Sequence, residues 1–176
     1  ILTESLSPSL LTSVGLAALL LANLLVKFWL ASRQIRAVAR HRDAVPSEFA
    51  RTIALDAHQR AADYTVAKLR LGLIELALGA AVLLGWTLLG GLDGLSGALL
   101  DWLGPRPLAQ PLALLVAFAL INALIELPLA LYQTFVVEQR FGFNRMTLAL
   151  WLGDLLKSTL LGVAIGVPLA LLALWL

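Results

Sequence analysis

The stretch Pro111–Val137, PLALLVAFALINALIELPLALYQTFVV, carries one charged side chain, Glu126, in a mostly apolar background. A helix needs roughly 20 mostly apolar residues to cross the hydrocarbon core of a bilayer, and this stretch is longer than that. Three others meet the same test, at about Leu10 to Leu30, Leu71 to Leu92 and Leu155 to Leu176. The fold class that follows is all-α, a polytopic membrane protein with four transmembrane helices. Composition agrees. Of 176 residues 60% are hydrophobic and 14% charged, with a mean hydropathy of +0.90. A soluble domain would carry close to half apolar and about a quarter charged residues. These values exclude a disordered or collagen-like chain, and the absence of cysteine excludes a disulfide framework.

The first span follows Ser7-Pro8-Ser9 and ends before Arg33, with no small-residue cleavage pattern in between, which argues against a removed signal peptide. The sequence opens on Ile1, and its last span stops without a polar flank. It therefore reads as the N-terminal transmembrane domain, residues 1–176, of a longer protein. Every one of the 13 lysines and arginines except Arg106 falls at the end of span one, between spans one and two, or between spans three and four. Alternating crossings put those regions on one side of the membrane. The positive-inside rule then makes the loops 31–70 and 138–154 cytoplasmic and places the N-terminus outside. The same distribution accounts for the net charge of +2 and the pI near 9.4. Nucleic acid is not an expected partner, because no recognition motif accompanies the charges.

Some polar groups lie inside the spans. Glu75 falls in span two, and Asn122 and Glu126 sit four residues apart on one face of span three, just before Pro128. An ionisable group at membrane depth costs several kcal/mol unless it meets protein or water, so each is a candidate functional residue. For Glu75 the alternative is a position one turn from the interface, snorkelling or paired with Arg70 or Lys68. For Asn122 and Glu126 the expectation is a polar cavity or an interhelical hydrogen bond. Pro128 removes a backbone donor and should disturb its helix locally. Between spans two and three, Gly and Pro residues from Gly94 to Pro111 flank a short apolar piece, Ala98–Leu103, expected as an interfacial turn of helix with Trp102 at headgroup depth.

In the first loop, Ser47 after Pro46 is a plausible N-cap, and Phe49, Ile53, Ala57, Ala61, Tyr64, Ala67 and Leu71 recur at helical steps. Asp56 and Arg60 form a well-oriented i,i+4 pair. A helix continuous from Ser47 to Leu92 would be about 69 Å long at about 1.5 Å per residue, which predicts a long cytoplasmic helical extension. In the second loop the polar Glu138, Arg140 and Asn144 alternate with Phe141 and Phe143 around Gly142, which permits a sharp turn. Asn144 could N-cap the following helix. Catalytic motifs are missing: His41 and His58 stand in no ligand spacing, and neither H-E-x-x-H nor a phosphate loop is present.

The loops nonetheless carry a resemblance. The strings Arg33–Val38 and His41–Pro46, then Ala57–Tyr64 with Lys68, then Glu138–Thr147 with Asp154 and Lys157, resemble the N-terminal membrane domain of the type I CAAX prenyl proteases. The stretch Glu138-Gln139-Arg140-Phe141-Gly142-Phe143-Asn144 is the most specific part. Those proteins are integral-membrane zinc metallopeptidases of the a-factor converting enzyme family, and this version looks bacterial, which implies an inner-membrane location. The resemblance implies a catalytic zinc domain outside this chain, with ligands from an H-E-x-x-H helix and a later glutamate. It implies no metal ligand here, and a segment inactive by itself. The partners it implies are the bilayer, the C-terminal metallopeptidase domain and a peptide or protein substrate. It also implies a water-filled chamber, which Glu75, Asn122 and Glu126 would line, while Glu138, Arg140, Phe141, Gly142, Phe143 and Asn144 would orient substrate or brace the active-site helix. The alternative is a non-enzymatic membrane module, a transporter half or assembly scaffold, with Glu75 and Glu126 as proton or cation sites.

Overall fold

A computed structural model of the chain describes residues 8–175. Its elements are α1 (Pro8–Arg40), α2 (Leu55–Thr87), α3 (Gly91–Leu103), α4 (Ala109–Tyr132), a π-helical turn (Gln133–Glu138) and α5 (Leu148–Trp175). Four helical stretches are long and apolar enough to cross a membrane: Leu10–Arg40, Leu55–Thr87, Ala109–Glu138 and Leu148–Trp175. No strand occurs among the described residues. Among the described residues the buried hydrophobic ones are Ala62, Leu71 and Val137, while leucines such as Leu19, Leu25, Leu124 and Leu156 are more than half exposed. Water would not tolerate so much contiguous apolar surface. Lipid or other helices can cover it, and this is an integral membrane protein.

The chain divides into two units, Ile1–Leu89 and Gly90–Leu176. In the first, α1 and α2 pack as a helical hairpin whose connection is held by polar contacts. Arg42 makes a two-pronged contact with Asp63, Nε to Oδ1 at 2.7 Å and Nη2 to Oδ2 at 2.9 Å. Its Nη1 donates to Asp43 at 3.0 Å, and Asp43 also accepts from Gln59 Nε2 at 2.9 Å. His58 Nε2 donates to the His41 carbonyl at 2.8 Å. These contacts hold the Arg42 guanidinium above its ordinary range, first through the hydrogen bonds it donates to Asp63 and then through the Asp63 charge.

Here the structure departs from the helix expected to start at Ser47. Residues 47–52 form a turn in which the Phe49 carbonyl accepts from both Thr52 and Ile53, at 3.0 and 2.9 Å. The long helix begins only at Leu55, with Ala54 extended at φ −69°, ψ 146°. Helical periodicity extends over 47–53, but those residues form a separate turn closed by the hydrogen bonds to the Phe49 carbonyl, within a connection that the Arg42–Asp63 fork bridges to α2. The projection is instead shared, α1 running on to Arg40 and α2 starting at Leu55. The expected Asp56–Arg60 pair is present at 3.6 Å.

The second unit starts at Gly90, whose φ of +76° precedes α3. This helix is longer than the expected turn around Ala98–Leu103, reaching back to Gly91, and it leaves Trp102 strongly exposed. Gly104, at φ +70°, ends it while its N–H reaches the Leu100 carbonyl at 2.8 Å. Gln110 Nε2 donates to Ser96 Oγ at 3.3 Å, tying the start of α4 to α3. Pro128 sits inside α4, where it cannot donate to the carbonyl one turn back.

Candidate functional site

Beyond Tyr132 the α-helix widens into the π-turn Gln133–Glu138, a local geometry that often accompanies functional sites. Val137 is buried in it, at 7% exposure. Gln133 and Glu138 lie at its two ends, with Gln133 Nε2 donating to Glu138 Oε1 at 3.4 Å. Phe135 meets Trp151 of α5 edge-on, with ring centroids 6.4 Å apart and planes at 68°. The turn is therefore anchored to the start of α5 through its aromatic residue.

The chain then leaves the helix through a defined motif. The Gly142 N–H donates to the Gln139 carbonyl at 3.1 Å, and the Phe143 N–H reaches the Glu138 carbonyl at 2.9 Å. Those two bonds, with Gly142 at φ +77°, are the Schellman pattern that satisfies otherwise orphaned terminal carbonyls. The Asn144 N–H also donates to the Glu138 carbonyl, at 3.2 Å. Glycine is favoured because an L side chain in this left-handed region strains against its own backbone. The sharp turn expected at Gly142 is thus present.

Asn144 does not cap α5 as expected. Its Oδ1 accepts from the Met146 N–H at 2.7 Å, forming a turn one step ahead of the helix. The cap is Thr147, whose Oγ1 accepts from the Leu150 N–H at 3.3 Å while its carbonyl accepts from Trp151 at 3.0 Å. Asparagine and threonine both have capping chemistry. Asn144 stands three positions before Thr147, and its side-chain oxygen is taken by the Met146 N–H.

The structure brings Glu138, Arg140, Phe141, Gly142, Phe143 and Asn144 together in one exit loop. Glu138, Phe141 and Asn144 are half-buried, while Arg140 and Phe143 are exposed. The Arg140 guanidinium lies 5.8 Å from the Phe141 ring centroid, where the ring face attracts the cation. Asn122 and Glu126 are apart from this loop, on α4. Asn122 Nδ2 donates to the Phe118 carbonyl of its own helix at 2.7 Å, and Glu126 is exposed. Glu75 belongs to α2 in the other unit, is exposed, and makes no ion pair with Arg70 or Lys68; Lys68 lies over the Tyr64 ring at 5.6 Å. The π-turn, Gln133, the Phe135–Trp151 contact and the Arg42–Asp63 fork had no signal in the sequence. Each depends on residues brought together by the backbone.

The described residues do not fit a zinc site. Among them, no three or more His, Cys, Asp or Glu side chains converge as a metal would require. His41 Nδ1 lies 2.8 Å from the Ala37 carbonyl, and His58 Nε2 is engaged as described, so one nitrogen of each ring is occupied by backbone.

Comparison with known proteins places these features in a family. The sequence pattern described as CAAX prenyl protease N-terminal, five membrane helices, matches residues 34–176. CAAX prenyl protease 1 of Saccharomyces cerevisiae is 44% identical over 66 residues, covering 38% of this chain and 15% of that protein. The CAAX prenyl protease 1 homolog of Mus musculus is 31% identical over 171 residues, covering 90% of this chain and 35% of that protein. Among solved structures, the crystal structure of S. mikatae Ste24p superposes with a TM-score of 0.78 at 25% identity. That match covers 89% of this chain and 37% of the other. The chain thus spans well under half the length of the relatives it matches.

Proposed function

Because this chain belongs to the CAAX prenyl protease N-terminal family, we propose that it forms chamber wall and substrate access for an integral-membrane zinc metalloendopeptidase. The zinc would supply an activated water for peptide-bond hydrolysis, held by residues outside positions 1–176. In this reading residues 1–176 are the N-terminal membrane domain of a longer protein with a C-terminal metallopeptidase domain, acting on a peptide or protein substrate. The basic loops face the cytoplasm, and the location is a bacterial inner membrane.

One observation carries the site assignment. The Gln133–Glu138 π-turn and the Schellman exit at Gly142 hold five polar and aromatic side chains, Glu138, Arg140, Phe141, Phe143 and Asn144, at a helix end fixed by backbone hydrogen bonds. A rigid helix exit of this kind suits positioning. Glu138, restrained by Gln133, would orient a donor on the substrate or on the catalytic domain. Arg140, stacked on Phe141, would present a cation at the exposed edge. Asn144 would keep its amide available while its carbonyl oxygen holds the Met146 N–H. Glu75, Asn122 and Glu126 would line the chamber.

The test is alanine substitution at Glu138, Arg140 and Asn144 in the complete protein, with peptide cleavage and thermal unfolding followed in parallel. Cleavage should fall at least tenfold while the unfolding midpoint stays near that of the parent. Cleavage at the parental rate in all three variants would refute the site role.

A further inference from the structure

We propose that the face of α1 carrying Trp29, Arg33, Arg36 and Arg40 binds the phosphate groups of anionic phospholipids at one surface of the bilayer. The inference does not depend on the proteolytic reading. It starts from helix geometry. Leu10 to Trp29 covers about 29 Å at about 1.5 Å per residue, close to the roughly 30 Å of bilayer hydrocarbon. Trp29, 57% exposed, then falls at the interface, where indole rings prefer to sit. At about 100° per residue, Arg33, Arg36 and Arg40 share one strip of the helix with Trp29. Arg33 and Arg36 lie about 6 and 10 Å beyond it along the axis, at headgroup depth.

The side chains are also directed toward the membrane. Helical side chains lean toward the N-terminus of their helix, and the N-terminal part of α1 is its apolar part. Arg40 shows this lean, its Nε donating back to the Arg36 carbonyl at 3.3 Å. The Arg33 guanidinium lies 5.6 Å from the Trp29 ring centroid, so the first cation rests on the interfacial aromatic. Lys27 adds a fourth charge, with a stem long enough to reach the same layer.

These cations lack a protein counter-charge. No acidic residue occurs between Pro8 and Arg40, and the arginines of that helix form none of the ion pairs among the described residues. The next acid along the chain, Asp43, accepts from Arg42 and Gln59. All three arginines are exposed. A row of exposed cations that begins at phosphate depth and runs outward to Arg40, about 16 Å beyond Trp29, with an aromatic anchor and no carboxylate, is complementary to a lipid bearing net negative charge. A zwitterionic lipid would bring its own cation into the same row.

The experiment reconstitutes the full-length protein in phosphatidylcholine vesicles and compares the association of spin-labelled phosphatidylglycerol with that of spin-labelled phosphatidylcholine. The parent should prefer phosphatidylglycerol several-fold, and the preference should shrink at high salt. The variant R33Q/R36Q/R40Q should lose most of it, with an upper limit of about fivefold per charge. The triple lysine variant should retain most of it, and Arg106→Gln should leave it nearly unchanged. The proposal is overturned if the parent shows no preference, if the glutamine variant keeps it, or if Arg106→Gln weakens it equally. Should the triple glutamine variant fail to fold, the three single Arg→Gln variants are read instead, and an unchanged preference in all of them overturns the proposal.

Discussion

Replacing Gly142 tests the geometry of the helix exit most directly. Its φ is +77°, and a Cβ built there meets nothing within 4 Å, so a substitution adds strain within the residue without a clash elsewhere. An L residue held in the left-handed region costs about 1–2 kcal/mol. Against this, replacing glycine by alanine lowers the entropy of the unfolded chain, which returns about 0.4–1 kcal/mol. The net expectation for Gly142→Ala is a local destabilisation of about 0.5–1 kcal/mol, equivalent to a roughly two- to fivefold larger open population. Asparagine tolerates this region better and should cost less, whereas a β-branched valine should cost more. Gly153 provides the internal control: it too has open space at its Cβ, but it lies inside α5 without a positive φ. Gly153→Ala should therefore stabilise, by about 0.5–1 kcal/mol. The assay is amide hydrogen exchange at Phe143 and Asn144, whose N–H groups both donate to the Glu138 carbonyl. Exchange there should quicken in the order Gly, Asn, Ala, Val. If alanine exchanges as slowly as glycine, or if asparagine and valine are indistinguishable, the Schellman exit is not what holds the loop.

Thr147→Ala should lower stability by about 0.5–2 kcal/mol through loss of the α5 cap, with Thr147→Ser close to the parent, both read from thermal unfolding in detergent. Asn144→Ala should leave that cap intact, so its unfolding shift should be smaller than that of Thr147→Ala. Arg42→Lys should loosen the connection between α1 and α2, because an ammonium cannot reproduce the two-pronged contact with Asp63; faster amide exchange over residues 43–54 would register it. The pH dependence has a defined sign. The Arg42 guanidinium is held above its ordinary value, so its contribution is fully present below that value and is lost only in strong alkali. Exchange at the connection, corrected for the intrinsic rate, should therefore not change between neutral pH and about pH 10 through Arg42.

Much of the site was legible in particular residues. Gly142 between two phenylalanines marked a sharp turn, and the turn is there because only a residue without Cβ takes that φ freely. The run from Glu138 to Asn144 carried the resemblance to the family that the chain belongs to. Capping was misread at two places where local chemistry offered more than one solution. Ser47 and Asn144 are both good caps in isolation, yet the helices start after Ala54 and Thr147. Ser47 yielded because the Phe49 carbonyl closes a separate turn on Thr52 and Ile53, and Ala54 then runs extended before α2 begins. Asn144 yielded because its side-chain oxygen is taken by the Met146 N–H, three positions before the Thr147 that caps α5.

What the sequence alone determined is the set of membrane crossings. Apolar length and the rarity of charge are properties of contiguous residues, and the transfer of a span into hydrocarbon depends on their sum. Only the tertiary structure decided where each helix begins and how α4 ends. A helix terminus is chosen by competition among several donors and acceptors, some of them distant in the chain, for the same few unpaired backbone groups. The π-turn belongs with these: five ordinary helix-compatible residues surround Val137, and the widening becomes visible only when Phe135 is placed against Trp151 and Gln133 beside Glu138.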